Sequence, residues 1–275
     1  MGPLIDPFVD NDFMLRALLA GALVSIACAV VGTYVVLRGM SFIGDALAHG
    51  VLPGVAGALL IGWPTMLGAA VGAGVMIGGV GVVTRRSRLS SDAAIGLLFV
   101  GLLALGIVVI SSSDSITTSV EAILFGEFLG VSDGDLWTLG IAVLVVAAVA
   151  AWSARPFLLL CFDPDLASVM GYRSGRYHQL MLALVAGTIV VAFQTVGSLL
   201  VFGMLLAPAG VGSLLARRVG VMMLWASLVG VASTYIGLLL SYHYGWAAGA
   251  TVVLVSVMIF FVTLIATSFV PRRSS

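Results

Sequence analysis

Apolar residues run through this chain in stretches of about 20, the length that crosses a hydrocarbon core as a helix. Polar residues gather in short clusters between the stretches. Read by hydropathy, the runs fall near 13–37, 41–60, 64–84, 92–111, 136–155, 178–196, 197–216, 220–242 and 246–268. The sixth and seventh are nearly continuous, so the pattern predicts eight or nine membrane-spanning helices in an all-α, polytopic protein. One transmembrane domain over residues 1–275 accommodates them. Between the fourth and fifth runs, "SVEAILFGEFLGV" is too short to span and reads as a half-helix or re-entrant piece at the outer surface.

Composition agrees with lipid as the solvent. Hydrophobic residues make up 61% of the chain and charged residues 9%, against roughly 25% charged in soluble domains. The formal net charge is zero, which removes the broad basic field expected of a nucleic-acid binder. Where the charges sit is more telling. All twelve basic residues are arginine, and with the N-terminus outside, eleven fall on one side of the membrane, the cytoplasmic one. Arg16 is the exception. The opposite side receives Asp6, Asp10, Asp12, the acidic connection holding Glu121 and Glu127, and the "YHYGW" hairpin with His243. The opening "MGPLIDPFVDNDF" has no basic n-region, so the first apolar run is expected to stay as a span. Cys28 and Cys161 lie far apart in sequence and setting, which suits two structural thiols better than a disulfide or a metal site.

Against this background, "SFIGDALAHGVLPGVAG" at 41–57 is unusual. Asp45 and His49 are spaced four apart, on one face of a helix, and ionisable groups inside a span are costly unless they meet a cavity, a pathway or a partner. A carboxylate and an imidazole together suit divalent manganese, zinc or ferrous ions. Two donors are too few for a closed site, and an ion in transit has to leave. Gly44, Gly50, Pro53 and Gly54 weaken the helix around the pair and free carbonyls to line a cavity. Two other readings stand beside this one: a hydrogen-bonded pair that fixes helix packing, and a proton relay through an imidazole that titrates near neutrality.

On the basic side, "RPFLLLCFDPDLASVMGYRSGRYHQL" from Arg155 to Leu180 contains a short helix capped by Asp163 or Asp165, primed by Pro164 and ended by Gly171. Such a helix can dock on another protein or be an ordinary loop. Gly50/Gly54, Gly68/Gly72 and Gly74/Gly78 repeat small residues at four-residue spacing, which serves close helix packing within one subunit or between two.

Taken together, "GTYVVLRGMSFIGDALAHGVLPGVA", "RLSSDAAIGLLFVGLLALG", "EAILFGEFLGVSDGD", "FDPDLASVMG", "TVGSLLVFGMLLAPAGVGSLLA" and "STYIGLLLSYHYGWAAGATVVLV", in this order, make the chain resemble the membrane permeases of bacterial ABC importers for manganese, zinc and iron. The resemblance implies import of a divalent ion, zinc or manganese foremost, across the inner membrane. It implies a separate ATPase subunit carrying the ATP, a metal-binding solute receptor, and a dimer with itself or a paralogous permease. The segment with Asp45 and His49 then corresponds to the ion-handling helix. The segment "FDPDLASVMG" corresponds to a coupling helix, implicating Asp163, Asp165, Ala167 and Gly171, with Glu121, Glu127 and His243 as candidates for an outer vestibule. The chain has no G-x-x-x-x-G-K-[ST] loop, so the nucleotide site belongs to the partner and no intrinsic cofactor or enzymatic activity is expected. The rival functions are a proton-coupled secondary metal carrier and an ABC permease for a metal chelate.

Overall fold

In a computed structural model, residues 6–9, 11–40, 42–112 and 128–269 are described. They form α1 (Asp6–Val9), α2 (Asp12–Leu37), α3 (Phe42–Gly50), α4 (Leu52–Ile61), α5 (Thr65–Arg86) and α6 (Ser91–Ser111). After the acidic connection come α7 (Asp133–Trp152), α8 (Ala154–Phe162), α9 (Pro164–Val169), α10 (Ser174–Val196), α11 (Ser198–Leu215), α12 (Val219–Tyr244) and α13 (Ala248–Ser268). No strand occurs among the described residues. Eight segments are long and apolar enough to cross a membrane, with α3 and α4 counting together as one. The shorter apolar helix α11 lies between α10 and α12, so among the described residues eight of the nine runs match helices long enough to cross and the seventh matches α11.

Three boundaries differ from the hydropathy reading, each for a local reason. The second run is two half-helices that meet at Val51, because Pro53 has no N–H to return to the carbonyl of His49 four residues earlier. α7 begins three residues before the predicted span because Ser132 and Asp135 form a reciprocal capping box. The sixth and seventh runs separate at Gly197, whose φ of 77° only glycine adopts freely.

α2, the α3–α4 segment and α10 are the most enclosed of the spans, whereas α6, α7 and α13 turn most of their surface outward. Helix backbones approach closely through glycine: a β-carbon at Gly54 or Gly68 would strike the other residue's carbonyl across the α4–α5 contact. The Gly50/Gly54 and Gly68/Gly72 repeats therefore serve packing within the subunit, while Gly74 and Gly78 face open space. Several hydroxyls inside the bundle are satisfied locally, as where Thr33 donates to the carbonyl of Ala29 at 2.7 Å, whereas those of Ser153, Ser233 and Ser256 find no partner among the described residues. Arg16, the arginine on the acidic side, is paired there: its guanidinium lies 3.2 Å from Asp133 at the start of α7. Exposed Trp63, Trp137 and Trp246 sit beside the connections of that same end and Trp152 at the opposite one, as an interfacial belt requires.

Candidate ion-handling site

The short helix α3 is enclosed on nearly every side. Ile43, Ala46, Leu47 and Ala48 are buried, Gly44 meets Leu205 of α11, and Gly50 meets Met76 of α5. The positions left open are Phe42, Asp45 and His49. Their spacing of three and four places them in one stripe along the helix, which continues on α4 through Pro53, Gly57 and Leu60.

Within the stripe, Oδ1 of Asp45 lies 3.4 Å from Nε2 of His49. The two side chains keep 26% and 24% of their surface accessible. The other imidazole nitrogen, Nδ1, is buried with no hydrogen-bond partner. A buried orphan nitrogen on a residue whose other nitrogen faces a carboxylate is costly in a site that is only structural. The ring leans on Phe99 of α6, centroids 5.6 Å apart, and Phe99 meets Phe42 edge-on at 5.8 Å. The pair thus has an aromatic wall on one side and open space on the other. No group of three or more His, Cys, Asp or Glu side chains able to hold a metal occurs among the described residues. Among the described residues Asp45 and His49 thus stand as a pair, without a third such side chain beside them.

A half-buried imidazole unmarked by the sequence reading is His178, because hydropathy put it at the edge of a span. It sits in the second turn of α10, lining a cavity of about 130 Å³ with Met40, Ile43 and Thr84, and its Nδ1 has no partner. His243 ends α12 exposed, with Nδ1 donating to the carbonyl of Leu239 at 2.9 Å. Glu121 and Glu127 lie outside the described residues.

At the arginine-rich end, Asp163 and not Asp165 caps α9: its Oδ1 accepts from the N–H groups of Asp165 and Leu166 at 3.1 and 2.9 Å. Gly171, with φ of 85°, closes the helix as Tyr172 N–H returns to the carbonyl of Ala167 and Gly171 N–H to that of Ser168. Asp165 is exposed, whereas Ala167 is fully buried and seats the helix against its neighbours. The outward surface is made instead by Phe162, Leu166, Val169 and Met170, an apolar patch that hydropathy alone does not distinguish from the rest of an apolar chain. A direct tie joins this region to the base of α3: Arg38, just before the turn into α3, donates to the carbonyl of Leu160 at 3.2 Å. Cys161 Sγ lies 3.8 Å from the carbonyl of Tyr34, whose ring meets Phe157 edge-on. Burial raises the thiol pKa of Cys161, partly offset by Arg38, and both cysteines are free, as expected of structural thiols.

A multi-helix bundle sealed by glycine contacts, with one half-charged stripe left open and a capped helix projecting from its basic end, is built as a membrane permease. The model of the ABC 3 transport family matches residues 10–267, and the chain belongs to that family. It is 39% identical over 270 residues to the manganese transport system membrane protein MntC of Listeria innocua, covering 98% of this chain and 95% of the relative. It is 36% identical over 272 residues to the chelated iron transport system membrane protein YfeD of Yersinia pestis, covering 98% and 90%. Among solved structures, PsaBC from Streptococcus pneumoniae in complex with Fab superimposes with a TM-score of 0.85 at 32% identity, over 95% of this chain and 94% of that one. The chain is thus a multi-pass transport subunit of the bacterial inner membrane and not an enzyme.

Proposed function

We propose that this permease imports a divalent transition-metal ion, manganese or zinc foremost, along the stripe that holds Asp45 and His49. The single observation that carries the reading is the openness of that stripe on an otherwise enclosed helix. A carboxylate and an imidazole facing lipid are unfavourable, so a second permease subunit, a copy or a paralogue, covers them. Two such faces would bring two carboxylates and two imidazoles around one ion, enough to replace most of its hydration shell. The carboxylates supply the compensating charge, which matters most where water is scarce. The donors are hard or borderline, as manganese, zinc and ferrous ions accept. The names of the relatives, manganese for one and chelated iron for another, support this substrate class.

ATP is hydrolysed on a separate subunit that docks on α9. Asp163 and Gly171 hold that helix in shape, Asp165 lies on its exposed side, Ala167 seats it, and Phe162, Leu166, Val169 and Met170 offer the apolar contact. A metal-binding receptor delivers the ion to the acidic outer end, where the vestibule roles proposed for Glu121, Glu127 and His243 belong. The test is uptake by the permease reconstituted with its ATPase and receptor, using radiolabelled manganese and zinc. The reading expects uptake that requires ATP and ignores an imposed proton gradient. Gradient-driven uptake without ATP would replace it with a secondary carrier, and uptake of a chelate but not of the bare ion would move the substrate to that class.

A further inference from the structure

At the arginine-rich end, expected to be cytoplasmic, a cavity of about 540 Å³ opens between the end of α7 and the start of α10. Arg173, Arg176, Trp152, Tyr172, Tyr177 and Leu180 line it. Trp152 is the last residue of α7, a helix that turns most of its surface outward, and its indole is 75% exposed. Tyr172 and Tyr177 meet edge-on with centroids 5.6 Å apart, making an aromatic floor. Neither Arg173 nor Arg176 forms an ion pair with a described residue. Both stand at the N-terminal end of the 23-residue helix α10, whose dipole adds to their positive field.

We infer that this cavity binds the phosphate-bearing headgroup of an acidic phospholipid of the inner leaflet. Three features specify that occupant. The cavity lies at the level where span α7 ends and span α10 begins, which is headgroup depth. Its polar part is two free guanidinium groups, which match a phosphodiester in charge and in donor geometry. Its apolar part, Trp152 and Leu180, continues toward the hydrocarbon, so an acyl chain can follow the headgroup along α7 and α10. Basic pockets between transmembrane helices on the cytoplasmic side recognise anionic lipids by this combination. The site adjoins Gly171 at the end of α9, so an occupied cavity would brace the loop that joins the docking helix to α10.

The inference does not depend on the identity of the transported ion. Its test uses the permease with its ATPase partner in nanodiscs of zwitterionic lipid doped with phosphatidylglycerol, and native mass spectrometry of the released complex. The parent is expected to retain phosphatidylglycerol. Arg173→Gln or Arg176→Gln should weaken retention about fivefold each and the double variant about thirtyfold. Arg217→Gln with Arg218→Gln removes the same charge from another exposed cytoplasmic loop and should leave retention at the parent level. Inorganic phosphate should not displace the lipid, because it lacks the chain that follows Leu180. Equal retention by the double variant, or an equal loss in the Arg217/Arg218 control, overturns the site. Displacement by phosphate makes it a soluble-anion site, and loss of the ATPase from the Arg173/Arg176 variants assigns the surface to that protein. Either result contradicts the lipid.

Discussion

Gly68 and Gly78 both lie on α5, yet they do different jobs. Gly68 faces the carbonyl of Gly54, and Gly78 faces nothing within 4 Å. A methyl at Gly68 has to push two helices apart, at a cost of about 1–3 kcal/mol, whereas a methyl at Gly78 gains about 1 kcal/mol of helix propensity. Thermal unfolding of purified permease should therefore show a lower Tm for Gly68→Ala and an unchanged or higher one for Gly78→Ala. Equal shifts would contradict the packing described here. The sequence shows both glycines alike, as members of pairs spaced four apart, Gly68/Gly72 and Gly74/Gly78, because spacing encodes the face of a helix and not its neighbour. Asp45 and His49 were legible for the opposite reason: in a span nearly free of charge, two ionisable side chains four residues apart stand out without any knowledge of the neighbours. The orphan Nδ1 of His49 and the wall made by Phe99 were not, since both depend on α6 coming alongside.

At the scale of elements, the break between α3 and α4 follows from Pro53, and the short α9 follows from Asp163, Pro164 and Gly171, all readable residue by residue. The choice between Asp163 and Asp165 as cap was settled by backbone geometry. The apolar surface of α9 was hidden because hydropathy cannot separate one exposed apolar residue from the rest of an apolar chain. Val169, 83% exposed, is the most open of these. Val169→Asp should weaken binding of the ATPase by about tenfold or more while insertion stays at the parent level, as measured by copurification against membrane content. Binding at the parent level would remove α9 from the interface. Arg38 joins the base of α3 to the carbonyl of Leu160, two residues before the chain leaves α8. Arg38→Ala should leave the ATPase bound but raise the ATP hydrolysed per ion imported, and Arg38→Lys should recover part of the coupling. An unchanged ratio in Arg38→Ala would show that the tie carries no coupling.

Across the whole molecule, the spans were legible because lipid imposes length and apolarity on every helix that crosses, while arginine placement gives the expected sidedness. How the helices group was not, because in an apolar chain the lipid-facing and core-facing sides of a helix share one composition. That grouping leaves the stripe from Phe42 to Leu60 only partly covered, by α6, and the proposed second subunit would cover the rest. With Cys28 and Cys161 replaced by alanine, Gly57→Cys on this stripe should form an intermolecular disulfide in membranes if the partner is a second copy. Absence of the cross-link would favour a paralogue. The central claim, that ions pass along the Asp45 and His49 face, is tested most directly by Asp45→Asn and His49→Ala, assayed separately for radiolabelled manganese and zinc uptake in the reconstituted complex. Asn keeps the size and an acceptor oxygen but loses the charge that offsets a divalent ion, and Ala removes the imidazole donor. Each variant should lose uptake by at least about tenfold, with membrane content and ATPase binding at the parent level. Uptake at the parent rate in both would contradict the account.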